Sequence, residues 1–255
     1  MTVKTFFIGL IASFALPWLA VVAWPYAEMR AVETPQFVEG DDDASGPYTP
    51  YKSGPVTRGS EIYGAEGCAQ CHSQVARPTY AGNDLGQPSL AGIEKDHKSG
   101  DTRRESILQD YDKEPFAWIG ETRMGPDLSN FGRRMEVLAI TKNEALAKER
   151  GVTVADLPLA DRFNVENAVY THLFDPRHGN VNSVCSANKH MFASKPVHGQ
   201  ATVTALKGIE RENGDQIIPQ PKALTLAGYL LGLKRDNDVP YAITNARSKK
   251  KASAK

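Results

Sequence analysis

Between Phe6 and Trp24 the chain runs nineteen residues without a charge, interrupted only by Gly9, Ser13 and Pro17. That length is near the minimum for a helix that crosses a bilayer. Trp18, Trp24 and Tyr26 gather towards its far end, where an aromatic belt would meet the interface. Lys4 precedes the apolar run and an acidic stretch follows it, which predicts the N-terminus inside and the body of the chain outside. The competing reading is a cleaved signal peptide, with Val21-Val22-Ala23 as a passable cleavage site. Both readings export the remainder. From Glu33 to Pro55 the pattern turns acidic and rich in Gly, Pro and Ser, which predicts a flexible linker.

Helical periodicity returns after the linker. Ser60 is placed to cap a short helix over Glu61 to Gly67. Glu94 to Asp112 is strongly charged with no clean period and reads as a surface excursion. Thr141 to Ala160 holds an amphipathic stretch, Asn143 to Arg150. Phe163 to Phe174 sets Val165, Val169 and Phe174 at helical spacing, and Pro221 to Lys234 does the same with Leu224, Ala227 and Leu231, with Tyr229, Leu230 and Leu233 beside them. Strand signal is slight and no internal repeat is evident. The organisation expected is an anchor over 1–30, a linker over 31–57, a helical domain over 58–236 with loop-rich insertions near 135–162 and 193–220, and a basic tail over 237–255.

Composition changes this picture little. A hydrophobic fraction of 41% in 255 residues suits one or two compact units with a modest core. The zero formal net charge hides opposed segments, six acids against Arg30 in residues 28–43 and five bases without an acid in the last nine. These read as solvated flexible ends rather than docking surfaces. No aromatic or motif accompanies the basic tail, so nucleic acid is not an expected partner.

The chemistry lies in Cys68-Ala69-Gln70-Cys71-His72. C-x-x-C-H is the attachment signature of a c-type haem: the thiols stand one helical turn apart, both able to face one porphyrin edge, and the histidine follows directly as an iron ligand. A zinc half-site would need a second cysteine pair, and the only other cysteine is Cys185. A redox dithiol would need a βαβ pattern that is not visible. One covalently bound haem is therefore expected on Cys68 and Cys71, with His72 as axial ligand.

Gly59 to Pro78 resembles the haem segment of the membrane-anchored monohaem subunit II of cbb3-type cytochrome c oxidases. The likeness continues through Tyr111-Asp112, Pro115-Phe116, Trp118, Arg123-Met124-Gly125-Pro126-Asp127-Leu128, Gly132-Arg133 and His172-Leu173-Phe174-Asp175-Pro176-Arg177. It implies a mainly α fold: one N-terminal transmembrane helix, then a class I cytochrome c domain whose first and last helices cross. It implies that the Pro126 carbonyl accepts a hydrogen bond from His72, and that His172 packs near the haem. Arg133, Arg134 and Arg77 are candidates for the haem propionates, since guanidinium matches a carboxylate in bidentate fashion. Trp118 and Phe116 are expected to pack as core against the porphyrin, whereas His97, His178 and His198 read as exposed loop histidines.

The resemblance also implies a task. Electrons would pass from soluble or dihaem c-type donors, through this one haem, to the b-type haem of an oxygen-reducing haem–copper subunit. The chain would sit in a bacterial cytoplasmic membrane with the haem domain in the periplasm. It would bind no small-molecule substrate and be no enzyme by itself. The alternatives are a stand-alone anchored carrier, the cytochrome subunit of a related complex such as a nitric oxide reductase, or a haem sensor with an open sixth site. One departure stands out. The methionine usual as sixth ligand is replaced, in ungapped register, by Cys185; the next sulfur is Met191. A thioether suits a high potential and a thiolate a low one. Met191 is the leading candidate, Cys185 the alternative; His190, Met124 and an open position complete the set.

Overall fold

The computed structural model describes residues 2–31, 54–86, 104–111, 114, 116–209 and 213–235. The linker over 32–53, the tail from 236, His97, and Asp112 and Pro115 of the resemblance lie outside the described residues. The chain divides into two compact units, Met1–Tyr48 and Thr49–Lys255.

In the first unit, helix α1 (Val3–Ala31) is long and apolar enough to cross a membrane, with a mean hydropathy of 2.3 over its most apolar window and none of that window buried. At 1.5 Å per residue it spans about 43 Å, more than the roughly 30 Å hydrocarbon layer. Thr2 caps its start, and the helix widens into a π turn over Leu19–Ala23 just after Pro17. Proline cannot donate the expected backbone bond, so local rearrangement of the ladder there is unsurprising.

The second unit is mainly helical. Helix α2 (Gly54–Ala65) leads into the single turn α3 (Cys68–Cys71). Later in the chain come α4 (Phe131–Arg150), α5 (Val165–Phe174) and the single turn α6 (Pro176–Gly179). Strands β1 (Phe192–Lys195) and β2 (Gln216–Pro219) pair antiparallel, with Phe192 opposite Pro219 and Lys195 opposite Gln216. Helix α7 (Pro221–Leu231) closes the described part.

Several expectations shift. The first helix starts at Gly54, not at Ser60; Gly54-Pro55 forms its first turn rather than a linker turn, because that turn leaves its N–H groups unpaired and proline has none to lose. Ser60 is then mid-helix, and its hydroxyl accepts from Trp118 Nε1 at 2.9 Å. The helix expected over Asn143–Arg150 begins twelve residues earlier, at Phe131, and Gly151 ends it in the left-handed conformation at φ +67°. The stripe of α7 is also rotated. Its buried residues are Ala223, Leu226, Ala227, Tyr229 and Leu230, whereas Leu224 is exposed. The slight strand signal conceals the β1–β2 ladder, whose strands are only four residues each.

The rotation of α7 follows from how it meets α2. The two helices cross at Gly59, where a Cβ would overlap Tyr229 Cβ and stand 2.9 Å from Thr225 O. Backbones this close admit only hydrogen at that point. Tyr63, wholly buried, fills the angle between them, its ring 6.1 Å from Tyr229 and 5.8 Å from Trp118. Val169, Tyr170, Leu173 and Phe174 of α5, Met191, Phe192 and Ile217 extend the same core. At the other end of α7, Gly132 of α4 packs on the Leu231 backbone and donates to Leu233 O at 3.0 Å.

The charged excursion expected over Glu94 to Asp112 is corrected where it is described, at 104–111; residues 94–103 and Asp112 lie outside the described residues. Arg104, Glu105 and Asp110 are buried, and Arg104 pairs with Asp110 at 2.5 Å. Tyr111 donates to Gln74 O at 2.8 Å; Arg235 Nη2 reaches both carboxylate oxygens of Glu114, at 2.8 and 2.9 Å, and the guanidinium lies 4.5 Å over the Tyr111 ring. Arg104, Glu105, Asp110 and Glu114 are thus polar groups held inside the domain, invisible to periodicity because they are charges met by opposite charge or by a backbone donor.

The α2–α7 crossing gives a direct test. Gly59→Ala should destabilise the domain by about 1–3 kcal/mol through overpacking. Thermal unfolding of the haem-loaded protein checks it, with a lowered Tm expected and an unchanged one contradicting the close approach.

Candidate haem-attachment site

Helix α2 is ended by Gly67, at φ +74°, whose N–H reaches Gly64 O at 3.1 Å. That left-handed residue lets the chain re-enter a helical turn at once, which carries the thiols of Cys68 and Cys71. Both are free and partly exposed. His72 N–H closes the turn on Cys68 O at 2.9 Å, after which the backbone extends.

The extended strand from His72 is zipped to the segment after Met124. Gly125 N–H donates to Cys71 O at 3.0 Å, and Leu128 N–H to Ser73 O at 2.7 Å. Between them His72 Nδ1 lies 2.8 Å from Pro126 O. A carbonyl can only accept, so Nδ1 carries the proton and Nε2 keeps its lone pair. Val75 N–H completes the zipper on Asp127 Oδ2 at 3.0 Å. The imidazole rests directly on Gly125, where a Cβ would lie 2.7 Å from Nε2 and overlap the other nitrogen. From the opposite side Tyr63 OH donates to His72 O at 2.6 Å. Gly120 lies against the His72 carbonyl, with Thr122 N–H on Gln70 O at 2.9 Å.

These residues fit the group that the sequence implies. Two uncrosslinked thiols one turn apart precede an imidazole whose one nitrogen is committed and whose other is free to ligate. The rivals fit less well. Among the described residues no group of three or more His, Cys, Asp or Glu could hold a metal ion. Burial pushes the Cys68 thiol up to about 12, with the Cys185 and Glu66 charges adding to it, whereas a reactive dithiol needs a lowered value.

The other candidates fall into place variously. His172, on α5, is close enough to His72 that burial, and then the His72 charge, lower its pKa. Cys185 is partly buried within electrostatic range of Cys71, and burial followed by that charge raises its thiol. Met191 is 1% exposed and belongs to the main core cluster. Its neighbour His190 bonds Glu66 at 2.8 Å, and Glu66 also pairs with Lys222. Met124 is exposed. Of the arginines, Arg133 pairs with Glu136 at 2.8 Å, Arg134 donates to Asp127 O, and Arg77 pairs with Asp84 at 2.9 Å. Trp118 packs on the core between Tyr63 and Phe116, and Phe116 itself is exposed. His178 and His198 are exposed.

Asp84 went unseen in the sequence, and Arg123 entered there only as part of the resemblance. Asp84 is buried and holds Arg77 and Arg123, whose guanidinium reaches it at 2.7 Å. Arg123 alone among described non-glycine residues has positive φ, +51°, just before Met124-Gly125-Pro126. A lone Asp in Gly-Asn-Asp-Leu-Gly carries no pattern that would reveal this. Burial pushes the Asp84 carboxyl up, but hydrogen bonds from Arg77 and Arg123 outweigh it and hold it at about 2.

Residues 56–147 match the family model of cytochrome c. The chain thus carries a cytochrome c domain, which follows an apolar N-terminal helix in the sequence. Electron transfer through a covalently attached c-type haem is the work of such a domain. No curated protein matches the chain.

Two outcomes follow. Cys68→Ala should abolish correctly placed covalent haem and lower protein accumulation, read by haem staining of denatured protein; normal covalent haem would contradict the assignment. Asp84 has a folded pKa below its ordinary value near 3.9, so its stabilisation is complete above about pH 4 and fades as pH falls towards 2. Urea unfolding of wild type and Asp84→Asn across that window should show a gap that closes in acid.

Proposed function

We propose that this chain is the electron-relay subunit of a cbb3-type haem–copper terminal oxidase. The reading is supported by the way three stretches that resemble subunit II meet around one imidazole. Cys68 to His72 supplies the attachment site, Gly125 to Leu128 carries the Pro126 carbonyl on His72 Nδ1 at 2.8 Å, and the helix bearing His172-Leu173 places its histidine within electrostatic range of His72. In this reading α1 is a retained anchor with its start in the bacterial cytoplasm and the haem domain in the periplasm. The partners are the catalytic haem–copper subunit and a dihaem or soluble c-type donor.

The bound haem would supply one-electron redox chemistry. The chain's own share is narrower. Cys68 and Cys71 tether the group, His72 Nε2 ligates, and Pro126 orients the imidazole and raises its basicity. Met191 is the proposed sixth ligand, with Cys185 the alternative. Arg133 remains the proposed propionate partner, which would require it to share or leave Glu136. No substrate binds here, and the turnover belongs to the complex.

A mild-detergent pull-down of the tagged chain from its native membranes tests the assignment. Co-purification of b-type haem with oxygen uptake is expected. A single c-type haem without oxygen uptake would instead make the chain a free anchored carrier.

A further inference from the structure

Asp127 lies one residue beyond the carbonyl that holds His72, and its side chain is 1% exposed. A buried carboxylate needs several donors. Asp127 Oδ2 accepts from Val75 N–H at 3.0 Å and Oδ1 from Ser129 N–H at 2.7 Å. Its own carbonyl is taken by Arg134 of α4. The rungs between the two segments are therefore Cys71 O to Gly125 N–H, His72 Nδ1 to Pro126 O, Ser73 O to Leu128 N–H, and Val75 N–H to the Asp127 carboxylate. Three involve the backbone of the 125–128 segment; the fourth is made by a side chain acting as a backbone acceptor. That fourth bond, with the Ser129 turn on the same carboxylate, fixes where the 125–129 segment stands along 71–75.

We propose that Asp127 is the positioning residue for the haem ligand: its carboxylate sets the register that aims the Pro126 carbonyl at His72 Nδ1, and so tunes the donor strength of the imidazole. Asp127 does not touch the imidazole. A carbonyl aimed at Nδ1–H makes the ligand more electron-donating and favours ferric iron; loosening that bond favours ferrous iron and raises the reduction potential. The inference rests on the cytochrome c domain, and holds whether or not the chain serves an oxidase.

The test uses the full-length, haem-loaded protein. Asp127→Asn places an amide NH₂ where two N–H donors converge, so one of the two bonds is lost. The expected result is retained covalent haem, a raised reduction potential, and faster hydrogen exchange at His72 Nδ1 and Val75 N by NMR of the ferrous protein. Asp127→Glu keeps the charge but displaces the carboxylate, and should raise the potential too, which separates positioning from simple loss of a negative charge. Asp161→Asn, at an exposed pair with Arg150, should change nothing. If Asp127→Asn does not accumulate, Asp127→Glu and the wild type decide. Slow exchange of the Val75 and Ser129 amides in the wild type supports the proposal. Wild-type potential and exchange in the Asp127 variants, or unprotected amides in the wild type, would overturn it.

Discussion

The hydrogen bond from His72 Nδ1 to the Pro126 carbonyl is the contact on which the haem-binding half of this protein depends. One imidazole nitrogen can serve an iron only if the other is held, because a free ring would rotate and exchange tautomers. Holding it joins residues fifty-four positions apart. Everything nearby serves that junction. Gly125 has no side chain because the ring lies on it, Gly120 gives the His72 carbonyl room, and Tyr63 takes that carbonyl from the helix side. Tyr63 also links the ligand strand to the crossing of α2 and α7, so these two helices are coupled to the backbone of His72 through one phenol.

Around this junction the domain relies on polar interior contacts to an unusual degree. Asp84, Arg104, Asp110, Asp127 and Arg235 are all nearly inaccessible, and each is met by opposite charge or backbone donors. An irregular chain has few regular ladders to satisfy its backbone, and buried side-chain acceptors supply what strands would otherwise provide. The arrangement is directional. Removing one member of a buried pair leaves the other uncompensated, at a cost of about 3–5 kcal/mol, far more than a surface pair is worth. The described segments outside helices and strands are therefore positioned more tightly than their lack of secondary structure suggests.

The sulfur chemistry divides by environment. Cys68 and Cys71 occupy one exposed-edged turn, with Cys185 in electrostatic range, while Met191 is enclosed with Phe174 and Phe192 in the core. A relay to a high-potential acceptor favours a thioether, and a thiolate in the same place would lower the potential. The choice between them would set the direction in which electrons flow most readily, which gives this small difference in register a large functional weight.

Much of this was legible in the chain itself. Nineteen uncharged residues dictate a helix that can cross a membrane, because hydrocarbon tolerates little else. C-x-x-C-H dictates the attachment chemistry, because one helical turn is the spacing that two thioethers on one porphyrin require. The Gly125-Pro126 segment could be matched to His72 by resemblance alone. What local pattern could not supply were the pairings that span the chain. The rotated stripe of α7 and the burial of Glu105 and Arg235 depend on partners dozens of positions away. Asp84 and Asp127 look in sequence like any loop aspartate. Only the tertiary structure decides that one gathers two arginines and the other two backbone amides, because a carboxylate's role is set by which donors converge on it, and convergence is a property of the fold.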